Sequence, residues 1–367
     1  MQKLRKLTKW PETLRYNGIS MQDYKPSDSG TVISDDVNEM EGFIMIKWGV
    51  IGTGLVVDMF CSDFPDVEGA KLHSIYGRRH EKANEVASKF GFSHVFSDLD
   101  EFLSQSDLDV VYIGTPHTTH ADFAIRAMKA GKHVLCEKPF AVNEEEVKTI
   151  LKTSKETGRF VMEALWTLYL PSIIKALEWI EAGDIGDVRL ITADFGDALS
   201  TDPKSRIHNP DLAGGALLDV GIYPVLLSNA VNKAMPDCIK AHTIFTKTGV
   251  DDTTTMSMNY GDDTTASLSA SVSVRTKWSA VIYGTKGHIE IPEFYRAKEA
   301  ILVADECEEF YMDRSAGLGY QHEAQAVTDL IASGATESPI VTHEFSLNLI
   351  RTLDRIRKEI GLIYPFE

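Results

Sequence analysis

The sequence predicts an α/β protein in which a doubly wound parallel-sheet domain precedes an α+β domain built on a mainly antiparallel, open-faced sheet. Three observations support this fold class. A strand, two glycines and a helix-spaced apolar stripe follow one another over residues 46–60, and strands and helices then alternate to about residue 166. Beyond that point the strands alternate apolar and polar residues, as sheets with one buried face do. We therefore expect domains at 45–166 and 167–367, after an extension at 1–44.

Size and charge restrict the possible functions. The chain has 367 residues, too many for one typical core, and its apolar content of 43% is ordinary for a globular protein. With 54 acidic and 37 basic residues its net charge is −17, which repels nucleic acids and anionic membranes. We expect neither as a partner.

The four cysteines lie far apart, without C-x-x-C spacing: Cys61, Cys136, Cys238 and Cys307. This arrangement favours neither a zinc site nor a disulfide framework, and we expect no metal. No run approaches the roughly 18 apolar residues that span a bilayer. These features predict a cytoplasmic protein.

Residues 1–44 differ from the rest of the chain, because they are polar and have little periodicity. Two interpretations stay open: the segment comes from an upstream translation start, or it forms an arm across a neighbouring subunit. In either case we expect it to be dispensable for the fold.

The first strand of the parallel domain runs into Gly52 and Gly54. Gly52 allows a sharp turn and Gly54 a close approach to an anion, while the N–H groups that open the next helix point at the negative charge. The motif predicts a Rossmann dinucleotide-binding domain whose cofactor contacts begin here: Gly52, Thr53, Gly54, Leu55 and Val56. The third small residue of the usual G-x-G-x-x-G/A pattern is Val57, which weakens the motif taken alone.

The second strand, from Leu72 to Tyr76, ends in a glycine followed by Arg78 and Arg79. An NAD site usually has a carboxylate there for the ribose 2′-hydroxyl, whereas two guanidiniums suit a 2′-phosphate. We therefore predict NADP, with NAD the less favoured cofactor. The alternative is that both arginines belong to a solvated helix start.

The remaining elements of this domain are predicted from apolar spacing. One helix, ending at a Gly91 C-cap, carries four apolar residues at helical spacing: Ala83, Val86, Ala87 and Phe90. Another helix begins at Asn143, with Glu146 completing a capping box. Further strands are predicted at 110–114, 133–136 and 160–164.

In the second domain, one strand alternates small polar residues with apolar ones: Ala266, Leu268, Ala270, Val272 and Val274. Helices at about 170–182 and 215–232 should cover the apolar face. The Ser/Thr face is either solvated or stacked on a second subunit, and we favour an isologous homodimer. A closing helix should pack on the body through its apolar stripe: Leu347, Ile350, Leu353 and Ile356.

Three polar segments directly follow predicted strands of the parallel domain: GTPHTTH at 114–120, CEKP at 136–139 and EALW at 163–166. Ligands bind at the carboxyl ends of the strands in such sheets, so these segments should meet at one site. Together with GGALLDVGIYP at 214–224, they strongly resemble the motifs of the Gfo/Idh/MocA oxidoreductase family from about Met45 to the C-terminus. Within that family the chain looks most like the branch of dimeric dihydrodiol dehydrogenases and NADP-dependent D-xylose dehydrogenases.

Asp219 and Tyr223 lie four residues apart in an otherwise apolar helix, so both face one side and need a partner or a function. Oxidising an alcohol requires a base, and a phenol with a pKa of about 10 serves only if a cation stabilises its phenolate. We interpret Lys138 as that cation. The resemblance implies that Tyr223 transfers the proton, with Lys138 as its helper and substrate anchor and Asp219 as a third catalytic group. A purely structural role for Asp219 stays open.

Other residues of these segments should surround the nicotinamide and the substrate. The expected cofactor contacts are Thr115, Pro116, His117, His120, Glu137, Lys138 and Trp166. The expected substrate contacts are Lys138, Trp166, Arg206, Asp219 and Tyr223, with His208 beside Arg206 in the same loop. The alternatives are a core position for Trp166, a helix cap for His120 and a solvated loop for Arg206 and His208.

The sequence thus predicts an NADP-dependent enzyme that transfers hydride between nicotinamide and a secondary alcohol of a sugar, cyclic polyol or trans-dihydrodiol. Two alternatives stay open. One is a keto-sugar or inositol reductase of the same family. The other is a non-catalytic NADP-binding sensor, which the intact residues Lys138, Asp219 and Tyr223 disfavour.

Overall fold

The computed structural model describes residues 15–16, 19–20, 45–200, 202–304 and 307–367. The expected extension at 1–44 lies outside the described residues, apart from two short strands. These strands, β1 (Arg15–Tyr16) and β2 (Ile19–Ser20), form an antiparallel pair.

A six-stranded, fully parallel sheet forms the N-terminal domain, in the order β5-β4-β3-β6-β7-β8. Its strands are β3 (Ile46–Ile51), β4 (Ala70–Tyr76), β5 (His94–Phe96), β6 (Val110–Ile113), β7 (His133–Glu137) and β8 (Val161–Ala164). The helices between them are α1 (Leu55–Asp63), α2 (His80–Phe90), α3 (Leu99–Leu103), α4 (His120–Lys129) and α5 (Glu144–Thr157). The strand order reverses between β3 and β6, which opens a crevice at their carboxyl ends.

Local signals account for the helix boundaries. Helix α2 ends at Gly91, whose φ of 78° is the left-handed conformation that glycine adopts without steric cost. Asn143 is the N-cap of helix α5, and its side chain accepts the N–H of Glu146 at 3.0 Å. Both boundaries agree with the sequence-based predictions.

Val57 is accommodated in the first helix although the usual motif has a small residue there. Its side chain is fully buried. The space comes from Gly114, which follows β6, because a Cβ on Gly114 would lie only 2.7 Å from Cγ2 of Val57. A glycine on the neighbouring strand therefore provides the close packing that the third small residue provides elsewhere.

An eight-stranded sheet forms the second domain, in the order β10-β11-β12-β9-β13-β14-β15-β16. All its pairs are antiparallel except β12 with β9. The strands are β9 (Val188–Gly196), β10 (Cys238–Phe245), β11 (Asp251–Tyr260), β12 (Thr264–Ser271), β13 (Ala280–Gly284), β14 (Gly287–Ile291), β15 (Glu299–Ala304) and β16 (Cys307–Met312). The α/β fold class with a mainly antiparallel second sheet is confirmed.

Helices cover one face of this sheet, as the alternation in β12 predicts. Ala266 and Leu268 are buried, whereas Ser267 between them is exposed. The strand stops at Ser271, so the prediction that Val274 continues the buried stripe is wrong: its side chain is exposed. The covering helices are α6 (Pro171–Ala182) and α7 (Ile222–Asn232), the latter preceded by a π-helical turn at Leu217–Gly221.

The helical region at 210–232 is long and apolar enough to cross a membrane by length and composition, with a mean hydropathy of 1.3. It is the one such region among the residues that the structure describes. Because 94% of its most apolar 18-residue stretch is buried inside the protein, its apolar character is that of a core helix.

The last two helices return to the N-terminal domain. Helix α8 (Tyr320–Ala332) packs on α1, and α9 (His343–Ile360) packs on α5 and β10. The Trp48 indole N–H on β3 donates to the Thr328 hydroxyl at 3.2 Å, and Leu353 and Ile356 are fully buried. The closing helix therefore lies where its apolar spacing predicts.

Candidate active site

The crevice at the ends of β3 and β6 is lined by backbone. Gly52 has a φ of 122°, and a Cβ there would lie 2.5 Å from the Gly114 carbonyl oxygen, so no other residue fits this turn. Gly54 precedes α1, and a Cβ there would meet no atom within 4 Å. The open space before a helix N-terminus fits a diphosphate group. Three more predicted cofactor contacts lie in the same turn. Leu55 is exposed, and Thr53 and Val56 are half-buried.

The two arginines lie next to this turn. The Gly52 N–H donates to the Tyr76 carbonyl at the end of β4, at 3.0 Å, which brings the strand ends together. Arg78 and Arg79 follow, both exposed, and Arg79 is the N-cap of α2. Their guanidiniums are accessible on the side of the crevice where a dinucleotide ribose binds in this fold.

The loop after β6 is braced internally. The Thr119 hydroxyl donates to Thr115 Oγ1 at 2.8 Å or to the Pro116 carbonyl at 2.7 Å. His120 Nε2 and Nδ1 each lie 2.8 Å from a carbonyl oxygen, that of Thr115 and that of Pro139. Burial lowers the pKa of His120, and the two carbonyl acceptors oppose that shift. His120 therefore joins two site loops and opens α4, and both of its nitrogens are engaged by the protein.

Glu137 ends β7 beside the crevice, and Lys138 directly follows the strand. The Tyr112 hydroxyl donates to Glu137 at 2.7 Å, and burial raises the pKa of that carboxyl group. The Lys138 ammonium donates to the backbone carbonyl of Asp219 at 2.7 Å and lies 4.8 Å from the ring centre of Tyr223. Burial lowers the pKa of Lys138, while the negative charges of Asp219 and Glu137 oppose the shift.

The π-helical turn presents the Asp219 carbonyl to this lysine. In a π turn that carbonyl would accept from the residue five positions on, which is Pro224 and has no N–H. The turn is anchored at its start by Asp251, which accepts the Leu217 N–H at 2.7 Å. The apolar pattern predicts an ordinary helix here, and Pro224 is the signal that could have indicated the irregular turn.

The Asp219 side chain joins two other predicted residues. Its Oδ1 accepts from Arg206 Nη2 at 2.7 Å and lies 3.8 Å from His117 Nε2. Burial opposes ionisation of Asp219, but Arg206 and Lys138 outweigh it and hold the pKa of Asp219 below its usual value. Burial and the nearby Arg206 charge lower the pKa of His117 well below 6.5, so its imidazole is neutral. Asp219 is thus an ionised carboxylate that Arg206 holds in place.

Tyr223 is buried, and its hydroxyl oxygen accepts the indole N–H of Trp166 at 3.1 Å. Burial, followed by the charge of Glu137, raises the pKa of Tyr223 well above 10, and the Trp166 hydrogen bond opposes that rise. The prediction that Lys138 lowers this pKa is wrong, because the ammonium lies over the ring and not at the oxygen. The phenol is protonated here.

Three aromatic residues that the sequence reasoning missed surround these groups. Phe195 lies 5.3 Å from the Tyr223 ring and stacks on Tyr295 at 4.1 Å. Tyr320 stacks on Trp166, with ring centres 4.6 Å apart. The three come from distant parts of the chain, and no local motif marks them.

One candidate is directed elsewhere. His208 Nε2 lies 2.9 Å from the Ser200 carbonyl oxygen, so His208 stabilises its own loop, while its neighbour Arg206 reaches the site. Among the residues that the structure describes, no group of three or more His, Cys, Asp or Glu side chains could hold a metal ion.

A dinucleotide crevice beside a half-buried lysine, a buried aspartate and a buried tyrosine defines an oxidoreductase of the nicotinamide-dependent class. Residues 46–165 match the family described as "Oxidoreductase family, NAD-binding Rossmann fold", and residues 173–290 match the "GFO/IDH/MocA C-terminal domain". The chain therefore belongs to the Gfo/Idh/MocA oxidoreductase family.

The matches with similar proteins cover most of this chain and nearly all of each relative. A mouse trans-1,2-dihydrobenzene-1,2-diol dehydrogenase is 32% identical over 334 residues, and its Xenopus laevis counterpart 31% over 330. Each match covers 87% of this chain, with 98% of the mouse protein and 99% of the frog protein. The crystal structure of an aldose-aldose oxidoreductase from Caulobacter crescentus has a TM-score of 0.78, at 24% identity over 86% of this chain and 97% of that one. This last likeness concerns the fold.

Proposed function

We propose that the protein is an NADP-dependent dehydrogenase or reductase acting on a secondary alcohol of a trans-dihydrodiol, sugar or cyclic polyol. The observation that carries the proposal is the meeting of Lys138, Asp219 and Tyr223 beside the glycine crevice. The relatives named trans-1,2-dihydrobenzene-1,2-diol dehydrogenase, at about a third identity, support the substrate class.

Bound NADP supplies or accepts the hydride. We assign the matching proton to Tyr223: in reduction its hydroxyl gives a proton to the carbonyl oxygen while hydride reaches the carbon, and in oxidation both move in reverse. Because burial keeps the phenol protonated, Tyr223 is in the form that donates the proton in reduction. For oxidation the phenolate must form, and the Trp166 N–H favours that form by donating to its oxygen.

Lys138 serves as the substrate anchor in this proposal. One of its three ammonium protons is used by the Asp219 carbonyl, which leaves two for the substrate oxygen. Arg206 offers a second donor to the substrate. Its Nη2 binds Asp219, while its Nη1 is buried with no hydrogen-bond partner among the described residues. We assign that nitrogen to a second substrate hydroxyl, as in a vicinal diol.

The preference for NADP rests on Arg78 and Arg79, which are exposed beside the glycine turn where NAD sites carry a carboxylate. The glycine turn itself has room for the diphosphate. We assign the remaining cofactor contacts to the loops after β6 and β7, through Thr115, Pro116, His117 and Glu137.

A spectrophotometric screen tests the function. The purified protein is incubated with NADP and a panel of trans-dihydrodiols, aldoses and cyclic polyols, and reduced nicotinamide is followed by its absorbance. We expect oxidation of at least one vicinal diol, slowed by roughly 10²-fold or more in Tyr223→Phe. If the protein binds NADP but turns over no member of the panel and no keto-sugar in reverse, the sensor alternative replaces the enzyme.

We further propose a cytoplasmic homodimer. The outward positions of β11 and β12 carry small polar residues, Thr255, Ser257 and Ser267, and the adjacent β10 ends in exposed Ile244 and Phe245. This exposed surface of small side chains suits face-to-face stacking of two copies. Analytical ultracentrifugation should give twice the mass of one chain, and Phe245→Glu should reduce this mass.

The cytoplasmic location is supported by the free thiols of Cys61, Cys136 and Cys238, which suit a reducing compartment.

A further inference from the structure

The carboxylate of Asp63 binds a distant segment of the chain. Asp63 is the last residue of α1, and one of its oxygens accepts the backbone N–H groups of Leu318, Gly319 and Tyr320, at 2.8, 2.8 and 3.0 Å. Its side chain is buried, with 4% of the residue exposed. These N–H groups belong to the start of α8, so Asp63 caps that helix from another element.

The capped segment lies directly against Trp166. Gly319 has a φ of 124°, and a Cβ there would be 3.3 Å from the Trp166 ring and 2.4 Å from Leu170. The next residue, Tyr320, stacks on the indole with an interplanar angle of 12°. The segment therefore packs directly against the Trp166 ring.

The Trp166 ring in turn holds the proton-transfer group, because its N–H donates to the Tyr223 hydroxyl at 3.1 Å. A continuous series of contacts thus runs from α1, which begins at the glycine crevice, to the phenol. We propose that Asp63 and Tyr320 are positioning residues for catalysis, which hold Trp166 so that its N–H meets the oxygen of Tyr223. This inference rests on the proposed function and deepens it. We name the set of Asp63, Leu318, Gly319 and Tyr320 the Asp63 clamp.

The clamp has a specific kinetic signature. It touches neither the residues assigned to the diphosphate nor Lys138, and it reaches the ligands only through Trp166, so its loss should lower kcat more than it changes cofactor affinity or substrate KM. Losing the indole N–H removes a hydrogen bond that favours the phenolate of Tyr223, so the pH limb of oxidation should move to higher pH. A defect in folding alone would lower the amount of active enzyme without moving that limb.

Two pairs of variants test the clamp. Asp63→Ala removes the acceptor, while Asp63→Asn keeps an oxygen in its place; Tyr320→Leu removes the stacked ring, while Tyr320→Phe keeps it. We expect the Ala and Leu variants to lose on the order of tenfold or more in kcat, with the pH limb raised. The Asn and Phe variants should recover most of both. Asp66→Asn, exposed three residues further on, is the matched control and should behave as wild type.

Trp166→Phe gives a further check, because combining it with Tyr320→Leu should cost little more in kcat than either change alone. The inference is overturned if the Ala and Leu variants keep the wild-type pH limb, or if the two double-variant effects simply multiply. Should Asp63→Ala fail to fold, the Tyr320 pair decides the question with Asp63 intact.

A structural measurement separates this inference from the proposed function. The measurement is the distance from Trp166 Nε1 to the Tyr223 oxygen in crystals of Tyr320→Leu and Tyr320→Phe. Only in the Leu variant should this distance exceed roughly 3.5 Å, the limit of a hydrogen bond. An unchanged distance in the Leu variant would contradict the clamp whether or not the enzyme turns over any diol. If the distance lengthens in Tyr320→Leu but the wild type turns over no substrate, the proposed function is refuted and the clamp is not.

Discussion

The cofactor crevice and the acid/base cluster adjoin each other but are built in different ways. The crevice is open and made mostly of backbone, with Gly52 and Gly54 forming the turn and two exposed arginines at its side. The cluster is mostly buried and made chiefly of side chains, and in it the half-buried Lys138 of one domain lies over the buried ring of Tyr223 of the other. The contrast teaches that cofactor affinity and proton transfer depend on separate groups, so substitutions should affect one without the other.

The largest expected effect comes from Tyr223→Phe, which removes the proton-transfer hydroxyl and keeps the ring over which Lys138 lies. We expect kcat to fall by roughly 10²- to 10⁴-fold. The dissociation constant for NADP, measured by fluorescence titration, should change by less than about twofold, since the phenol is not among the residues assigned to cofactor contact. Steady-state kinetics that match the wild type would remove Tyr223 from its assigned role.

The complementary change acts on the crevice. Replacing Arg78 and Arg79 together by Ala should weaken NADP binding by roughly 10- to 100-fold, because charge-assisted hydrogen bonds to the 2′-phosphate are lost. NAD lacks that phosphate, so its affinity should stay level or improve. Calorimetric titration with both cofactors measures the two effects, and an equal loss for NAD and NADP would argue against a 2′-phosphate site.

Two glycine variants sharpen the division within the crevice. Gly54→Val places a side chain in open space before α1, so NADP binding should fall on the order of tenfold while the unfolding temperature stays near that of wild type. Gly52→Ala forces a side chain into a φ of 122° against the Gly114 carbonyl. That change should cost about 1–3 kcal/mol of unfolding free energy, measured by denaturant titration. Equal stability of the two variants would count against this account of the turn.

The smallest expected effect concerns stability in the buried region. Glu163 lies at the end of β8, and burial raises its pKa from 4.5 to about 7. The unfolded chain ionises this carboxyl group at lower pH than the native protein does, so native stability falls as the pH rises from about 4.5 to about 7. Glu163→Gln keeps the acceptor for the Phe140 N–H and should stabilise the protein by roughly 1–3 kcal/mol at pH 8, with little effect at pH 4. Urea titrations at both pH values measure the difference, and a constant difference would exclude this ionisation.

The two regions also differ in how far the sequence predicts them. The crevice follows from local signals, because a strand, a glycine turn and a helix are contiguous and the arginines directly follow the neighbouring strand. Sequence motifs identified Lys138, Asp219 and Tyr223 as site residues, but the motifs did not predict how these residues are arranged. The π turn before Pro224 offers Lys138 the Asp219 carbonyl, and this contact is visible only in three dimensions.

The direction of the Tyr223 pKa shift shows why the other properties of the site could not be predicted from the sequence. A neighbouring cation predicts a lowered pKa, whereas the structure raises it, because burial among rings such as Phe195 and Tyr295 outweighs the charge of an ammonium placed over the ring. Burial depends on residues far away in sequence. The same holds for Val57, which fits only because Gly114 lies opposite.

The most direct test of the account is the pH dependence of catalysis in both directions, measured alongside NADP affinity. With the phenol protonated over the neutral range, kcat for oxidation should rise by up to about tenfold per pH unit toward the raised pKa of Tyr223. The kcat for reduction should stay level and fall only as that pKa is approached, while NADP affinity shows no matching transition. An oxidation rate independent of pH when hydride transfer limits turnover, or NADP affinity that follows the same titration, would contradict the separation of the two regions.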